Sequence, residues 1–175
     1  MTTIGDSAFW GCEGLTSITL PDNMISIGVN PFSSCGKLQS ITVSPDHPNL
    51  AMIDNVLFDK MEKKLIGYPA GRDAANYEIP QGITSIGDAA FAGCDSLTDI
   101  TIPDSVTTIG DSAFGLCDSL TSITLPDSVT TIGDSAFYGC NSLILTVGRD
   151  SYAKQYAVEN GIQYTYPDAN NWLYE

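Results

Sequence analysis

Basic residues, histidine and long apolar runs are all scarce in this sequence. Seven Lys and Arg stand against 21 Asp and Glu, a net charge of -14 over 175 residues. Such a surface repels phosphate backbones and anionic lipid, so neither nucleic acid nor a membrane is expected as a partner. No stretch approaches the roughly 18 apolar residues of a membrane span, and the opening MTTIGDSAFWGC lacks the basic region and apolar run of a signal peptide. The sole histidine, His47, lies in the Pro-bounded loop SPDHPN and would have to serve any Ser-His or Cys-His mechanism alone. No catalytic residue is nominated, and no enzyme is expected. There is no CxxC pair, so a structural zinc site lacks its ligand set; no metal and no cofactor are expected. What remains is a chain with 43% hydrophobic residues, enough for a sizeable core.

That apolar content is periodic. Phenylalanine recurs at Phe9, Phe32, Phe91, Phe114 and Phe137. The spacings are 23 residues except for one long gap between Phe32 and Phe91. Ile4, Ile27, Ile86, Ile109 and Ile132 precede each Phe by five; Cys12, Cys35, Cys94, Cys117 and Cys140 follow by three; Leu15, Leu38, Leu97, Leu120 and Leu143 by six. One unit reads IGDSAFxGCxSLTSITLPDSVTT. No such unit can bury its Ile, Phe, Cys and Leu alone, so coils must stack, and an α/β repeat solenoid with a parallel β-sheet is expected.

Within a unit, SLTSITL ends in strand alternation, so one strand per coil is expected. The following Pro-Asp turns the chain. Gly-Asp, as in Gly110-Asp111, is read as a flexible bend and an N-cap for a short helical turn over Ser-Ala-Phe on the opposite side. The cysteines, in one register, are read as small inward-facing hydrophobes, with disulfides between neighbouring coils as the alternative. Asp6, Asp88, Asp111 and Asp134 form one ladder and Asp22, Asp104 and Asp127 another; they are read as caps and turn formers, with calcium as the alternative.

At these residues the chain resembles the BspA-like, or Treponema-type, leucine-rich repeats, whose unit reads LxxIxLPxxvtxIgxxaFxxCxxL. The resemblance covers most of residues 1–148. It implies a right-handed leucine-rich-repeat superhelix belonging to a secreted or cell-surface protein of a host-associated microbe. It further implies adhesion to host matrix or cell-surface proteins, and no binding residue is transferable by position.

Where the period fails, three features stand out. At about 49–72, IDNVLFDKMEKKLIGYP pairs the apolar runs Val56–Phe58 and Leu65–Tyr68 around a polar turn, an expected hairpin or enlarged coil. It carries Lys60, Lys63, Lys64 and Arg72, four of the seven basic residues, as a candidate contact. Residues 149–166, with helical spacing from Ser151 to Asn160 and Gly161 as a stop, are expected to cap the stack, and 167–175 to form a tail or linker. Met1-Thr2-Thr3-Ile4 begins in mid-unit, so further coils before it, or a partner on that end, are expected.

The candidate binding face is the polar side of the strands: Ser17, Thr19, Ser40, Thr42, Asp99, Thr101, Ser122 and Thr124. A protein partner is expected there, with a glycan as the alternative. Its small, uniform side chains leave open a structural spacer that only displays other domains, because hot spots favour Trp, Tyr and Arg. Trp10 and Tyr138 share one repeat position between Phe and Gly and would mark a second face if exposed.

Overall fold

The computed structural model describes residues 2–168. In chain order its elements are β1 (Thr3–Ile4), β2 (Ser17–Thr19), β3 (Ser26–Ile27), β4 (Ser40–Thr42), β5 (Leu50–Ile53), β6 (Val56–Asp59), β7 (Lys64–Gly67) and β8 (Asn76–Glu78). There follow β9 (Ser85–Ile86), β10 (Asp99–Thr101), β11 (Thr108–Ile109), β12 (Ser122–Thr124), β13 (Thr131–Ile132), β14 (Ile144–Thr146), the helix α1 (Tyr152–Glu159) and β15 (Gln163–Thr165).

The chain is a β-solenoid, and each coil contributes two strands rather than the expected one. The Ser-Ile-Thr strands stack in parallel as β2-β4 and β8-β10-β12-β14-β15, and the Thr-Ile strands as β1-β3 and β7-β9-β11-β13. The second ladder lies beyond the Pro-Asp turn, where the sequence pattern predicts no strand. Its two-residue strands are held from coil to coil, Thr107 N donating to the Thr84 carbonyl and Gly110 N to that of Ile86, both at 2.9 Å.

The short helical turns over Ser-Ala-Phe are absent, and the reason lies in where the amides go. Ser112 N donates to Asp134 O at 2.9 Å and Phe114 N to Ala136 O at 2.8 Å; Ala89 and Phe91 reach the next coil in the same way. Amides committed to a neighbouring coil cannot close a helix. The residue after Asp instead takes a left-handed turn, with φ of 51° at Ser7, 52° at Ala89, 51° at Ser112 and 55° at Ser135.

Asp therefore does not cap its own segment. Asp88 Oδ1 accepts from Asp111 N at 2.9 Å, Asp111 Oδ1 from Asp134 N at 2.8 Å, and Asp6 Oδ1 from Val29 N at 2.9 Å. The glycine before it is not a flexible bend either. Gly28, Gly110 and Gly133 have no positive φ; a Cβ on them would lie 2.2 to 2.3 Å from the Asp carboxylate of the preceding coil.

The Phe ladder fills the interior as rings stacked at the coil spacing, Phe91 to Phe114 at 5.1 Å and Phe114 to Phe137 at 5.3 Å between centroids. The cysteines beside it are free thiols. Cys35, Cys117 and Cys140 donate from Sγ to the carbonyls of Phe9, Phe91 and Phe114 at 3.0 to 3.1 Å, one coil back. Burial pushes the Cys94 thiol well above its ordinary range, as expected of an inert core group. Cys12 departs from the inward reading: it lies in the first described coil and is exposed.

The long Phe32–Phe91 gap holds an antiparallel meander, β5-β6-β7, with Asp59 opposite Lys64 and Phe58 opposite Leu65. Strand β7 then joins β9 in parallel, and β8 joins β10, so residues 64–78 form a coil of their own in which Tyr68 and Tyr77 pack on Phe91. The alternation of β6 divides the interior. Val56 and Phe58 join the core built on Phe91 and Phe114, whereas Leu57 joins the one built on Phe32.

After β14, α1 starts at Ser151, whose hydroxyl accepts from Lys154 N at 3.1 Å, and the chain turns at Gly161 with φ of 65°. Tyr156 of α1 packs on Phe137 at 6.1 Å between ring centroids and donates to Gly133 O. Strand β15 extends the Ser-Ile-Thr sheet by pairing with β14. The tail expected over 167–175 falls mostly on 169–175, outside the described residues.

Candidate functional site

The residues expected on the polar face are placed in two patches. Ser17 and Thr19 lie opposite Ser40 and Thr42 on the two-stranded sheet. Asp99 and Thr101 lie opposite Ser122 and Thr124 on the five-stranded one. Ile18, Ile41, Ile100 and Ile123 alternate with them toward the core, and all eight candidates except Ser40, which is half-buried, are exposed. The larger patch is wider than expected. Asn76 and Glu78 extend it on one side, in register with Asp99 and Thr101; Ile144 and Thr146, then Gln163 and Thr165, extend it on the other. The Ile-Pro at Ile79-Pro80, matching Ile102-Pro103, was the signal that could have placed Asn76 and Glu78 on this face.

Between the two patches the turn at Asp54-Asn55 fills the break. Both residues have positive φ, and Asn55 Nδ2 donates to the Gln39 carbonyl of β4's coil. Arg72 completes this plug, donating to Asp54 O at 2.7 Å with its guanidinium 4.9 Å from the Tyr68 ring centroid.

The four basic candidates are thus not one site. Arg72 lies at the Asp54 end of β6, whereas Lys60, Lys63 and Lys64 lie around the turn at its other end. Lys64 pairs with Glu62, and Lys60 donates to the His47 carbonyl. His47 is buried; its Nδ1 accepts from Asn49 N at 3.2 Å and Leu50 N at 3.0 Å, which puts the ring proton on Nε2 and starts β5. It is a structural residue of the turn, and no nucleophile contacts it among the described hydrogen bonds.

Behind Arg72, Tyr68 and Tyr77 are packed edge to face at 5.2 Å with both hydroxyls buried and unpartnered among the described residues. Burial raises both phenols above their ordinary range. An unpartnered buried hydroxyl costs about 1–3 kcal/mol, so Tyr77→Phe is expected to stabilise the protein by about 1 kcal/mol, read as a higher urea midpoint at unchanged slope. A lower midpoint would mean that the hydroxyl has a partner in solution.

Among the described residues no three His, Cys, Asp or Glu side chains gather as a metal cage, and no helix is long and apolar enough to cross a membrane. The shared position between Phe and Gly is solvent-facing at both aromatic sites, Trp10 at 66% and Tyr138 at 69% exposed, but they stand in the first and sixth coils and form no common patch.

Known proteins carry the same architecture. A leucine-rich repeat protein from Eubacterium ventriosum superposes with a TM-score of 0.80 at 28% identity, over 86% of this chain and 40% of that one. A leucine-rich cell-surface protein from Faecalibacterium prausnitzii matches with a TM-score of 0.70 at 30% identity, over 98% of this chain and 52% of that one. The pneumococcal vaccine antigen PcpA shares the fold, with a TM-score of 0.70 at 24% identity over 85% of this chain and 42% of that one. The chain thus spans about half or less of the length of these relatives. No curated protein matches the sequence. Six copies of the BspA-type leucine-rich repeat region are matched over residues 1–66 and 70–155, and the chain belongs to that family.

Proposed function

We propose that the chain is a protein-interaction module of a secreted or cell-surface bacterial protein, and that it adheres to host matrix or cell-surface proteins through the polar face of its five-stranded sheet. The observation that carries this reading is the in-register outer surface of β8, β10, β12, β14 and β15, whose side chains project to solvent without being used to hold the coils together. The serine and threonine ladders elsewhere are not free in this way: Thr98 and Thr121 donate to the carbonyls of Ala75 and Thr98, and Ser105 and Ser128 to those of Ile83 and Val106. Membership of a family with cell-surface relatives supports the location.

The test is surface plasmon resonance against a panel of immobilised extracellular-matrix glycoproteins. Saturable binding is expected from the unaltered chain, with a loss of about tenfold or more when Thr101→Arg and Thr124→Arg place two long cations mid-face. Binding that survives both substitutions would move the site elsewhere. No saturable binding to any of them would favour the spacer reading, which the small side chains of the face support.

A further inference from the structure

The Thr-Ile ladder stops at β3, which pairs with β1 on one edge and, among the described residues, with no strand on the other. Ser26 N and Gly28 N donate to Thr2 O and Ile4 O at 3.3 and 2.9 Å. Backbone groups of successive strand residues face opposite edges, so the Ile27 N–H and the carbonyls of Ile25 and Ile27 face away from β1. In later coils the matching groups are taken, Thr107 O by Thr130 N and Ile109 O by Gly133 N. In β3 all three lack a hydrogen-bond partner among the described residues. The interruption is thus sealed on one wall, where Asn55 serves the Gln39 carbonyl, and open on the other.

In front of that open edge lies a groove of about 610 Å³ between β3 and the β5-β6-β7 meander. Apolar side chains line it, among them Ile25, Val29 and Met61, with Ile25 71% and Met61 79% exposed. The acids Asp59, Glu62 and Asp88 also line it, against a single base, Lys64, which is already paired with Glu62. The ladder is interrupted in the sequence as well, since Val29 replaces the Asp that in Asp6, Asp88 and Asp111 binds the amide of the next coil.

We propose that β3 accepts an added strand at this edge: an extended segment of a partner protein in which apolar residues alternate with Lys or Arg. The free N–H and two carbonyls specify an extended backbone, the apolar wall specifies one face of it, and the surplus of acids specifies a cationic one. A second copy of this chain, at -14, is the wrong charge. This site is separate from the polar sheet face.

The test uses a fluorescent alternating Lys-Val octapeptide, the same peptide with every backbone amide methylated, and a Glu-Val counterpart, together with amide exchange of the chain. The Lys-Val peptide is expected to bind and to slow exchange at Ile27, with affinity falling about tenfold or more on methylation, in the Glu-Val peptide, and for Ile25→Lys at the groove mouth. Thr101→Arg with Thr124→Arg is expected to leave it unchanged, which separates this site from the sheet face. Equal binding of the methylated peptide would reduce the effect to charge alone and overturn the proposal. So would no binding of the Lys-Val peptide, an Ile27 amide that its binding does not slow, or retained affinity in Ile25→Lys. An Ile27 amide already slow in the free chain, with sedimentation as a dimer, would assign the edge to a second copy instead.

Discussion

Gly110→Ala is expected to destabilise the protein by about 3 kcal/mol or more, the upper end of what overpacking does. The added Cβ would lie 2.2 Å from Asp88 Oδ1, 2.6 Å from Asp88 N and 2.8 Å from the Gly87 carbonyl carbon. Two of those three atoms are backbone, and the third is held by its bond to Asp111 N, so nothing can swing aside. Relief requires the coils to part, which would lengthen Gly110 N to Ile86 O and Ala89 N to Asp111 O along the same turn. Gly5→Ala is the matched control at the same repeat position. A Cβ there meets nothing within 4 Å, so the substitution is expected to be neutral or to stabilise by up to about 1 kcal/mol through the unfolded chain. Urea midpoints of the two variants measure the difference. Equal values would mean that the coil contact yields more easily than its geometry implies.

This glycine shows why part of the fold was legible and part was not. A 23-residue period establishes that coils stack and which side chains meet, because Ile, Phe, Cys and Leu recur at fixed offsets, and the stacked interior follows. It does not tell whether a repeated offset serves its own coil or the neighbouring one. Gly-Asp suits a bend and an N-cap within one coil, and it equally suits a carboxylate reaching the next coil's amide across a position with no Cβ. Local propensity favours the first; inter-coil hydrogen bonding decides for the second, and with it the helical turns give way to left-handed Ser and Ala. The second strand ladder was missed for a related reason, since two residues are too few to show alternation.

The candidate site was legible to the same degree. Alternation in Ser-Ile-Thr put Ser122 and Thr124 outward, where they are. The clustering of Lys60, Lys63, Lys64 and Arg72 in sequence did not survive in space, because a hairpin strand separates its two turns. Arg72 was instead drawn to Asp54 and the Tyr68 ring. The open edge of β3 had only a negative signal, the missing Asp at Val29, whose meaning depends on knowing what Asp does in the other coils.

Phe114→Ala should be among the most damaging of the core truncations, about 3–5 kcal/mol for a fully buried phenylalanine, against a total of about 5–15 kcal/mol for a typical domain. Its ring is fully buried and lies nearly parallel to two others, 9° from Phe91 and 3° from Phe137, so one truncation removes both stacks. Phe9 supplies the contrast: half-buried, with a single ring neighbour, Phe32, at 5.6 Å, it should lose clearly less on truncation to Ala. A double-mutant cycle of Phe114→Leu with Phe137→Leu should return a coupling of about 0.5–1.5 kcal/mol, the range of an aromatic pair beyond its buried area. The position of the damage is as informative as its size. Neighbouring coils carry most of a solenoid's cohesion, and Phe114 belongs to a core that β6 separates from the one around Phe32. Amide exchange in Phe114→Ala should therefore accelerate first in β9, β11 and β13 and leave Gly28 and Leu20 protected. Uniform acceleration from β1 to β15 would show instead that β6 and β7, buried on both faces, couple the two cores into one cooperative unit.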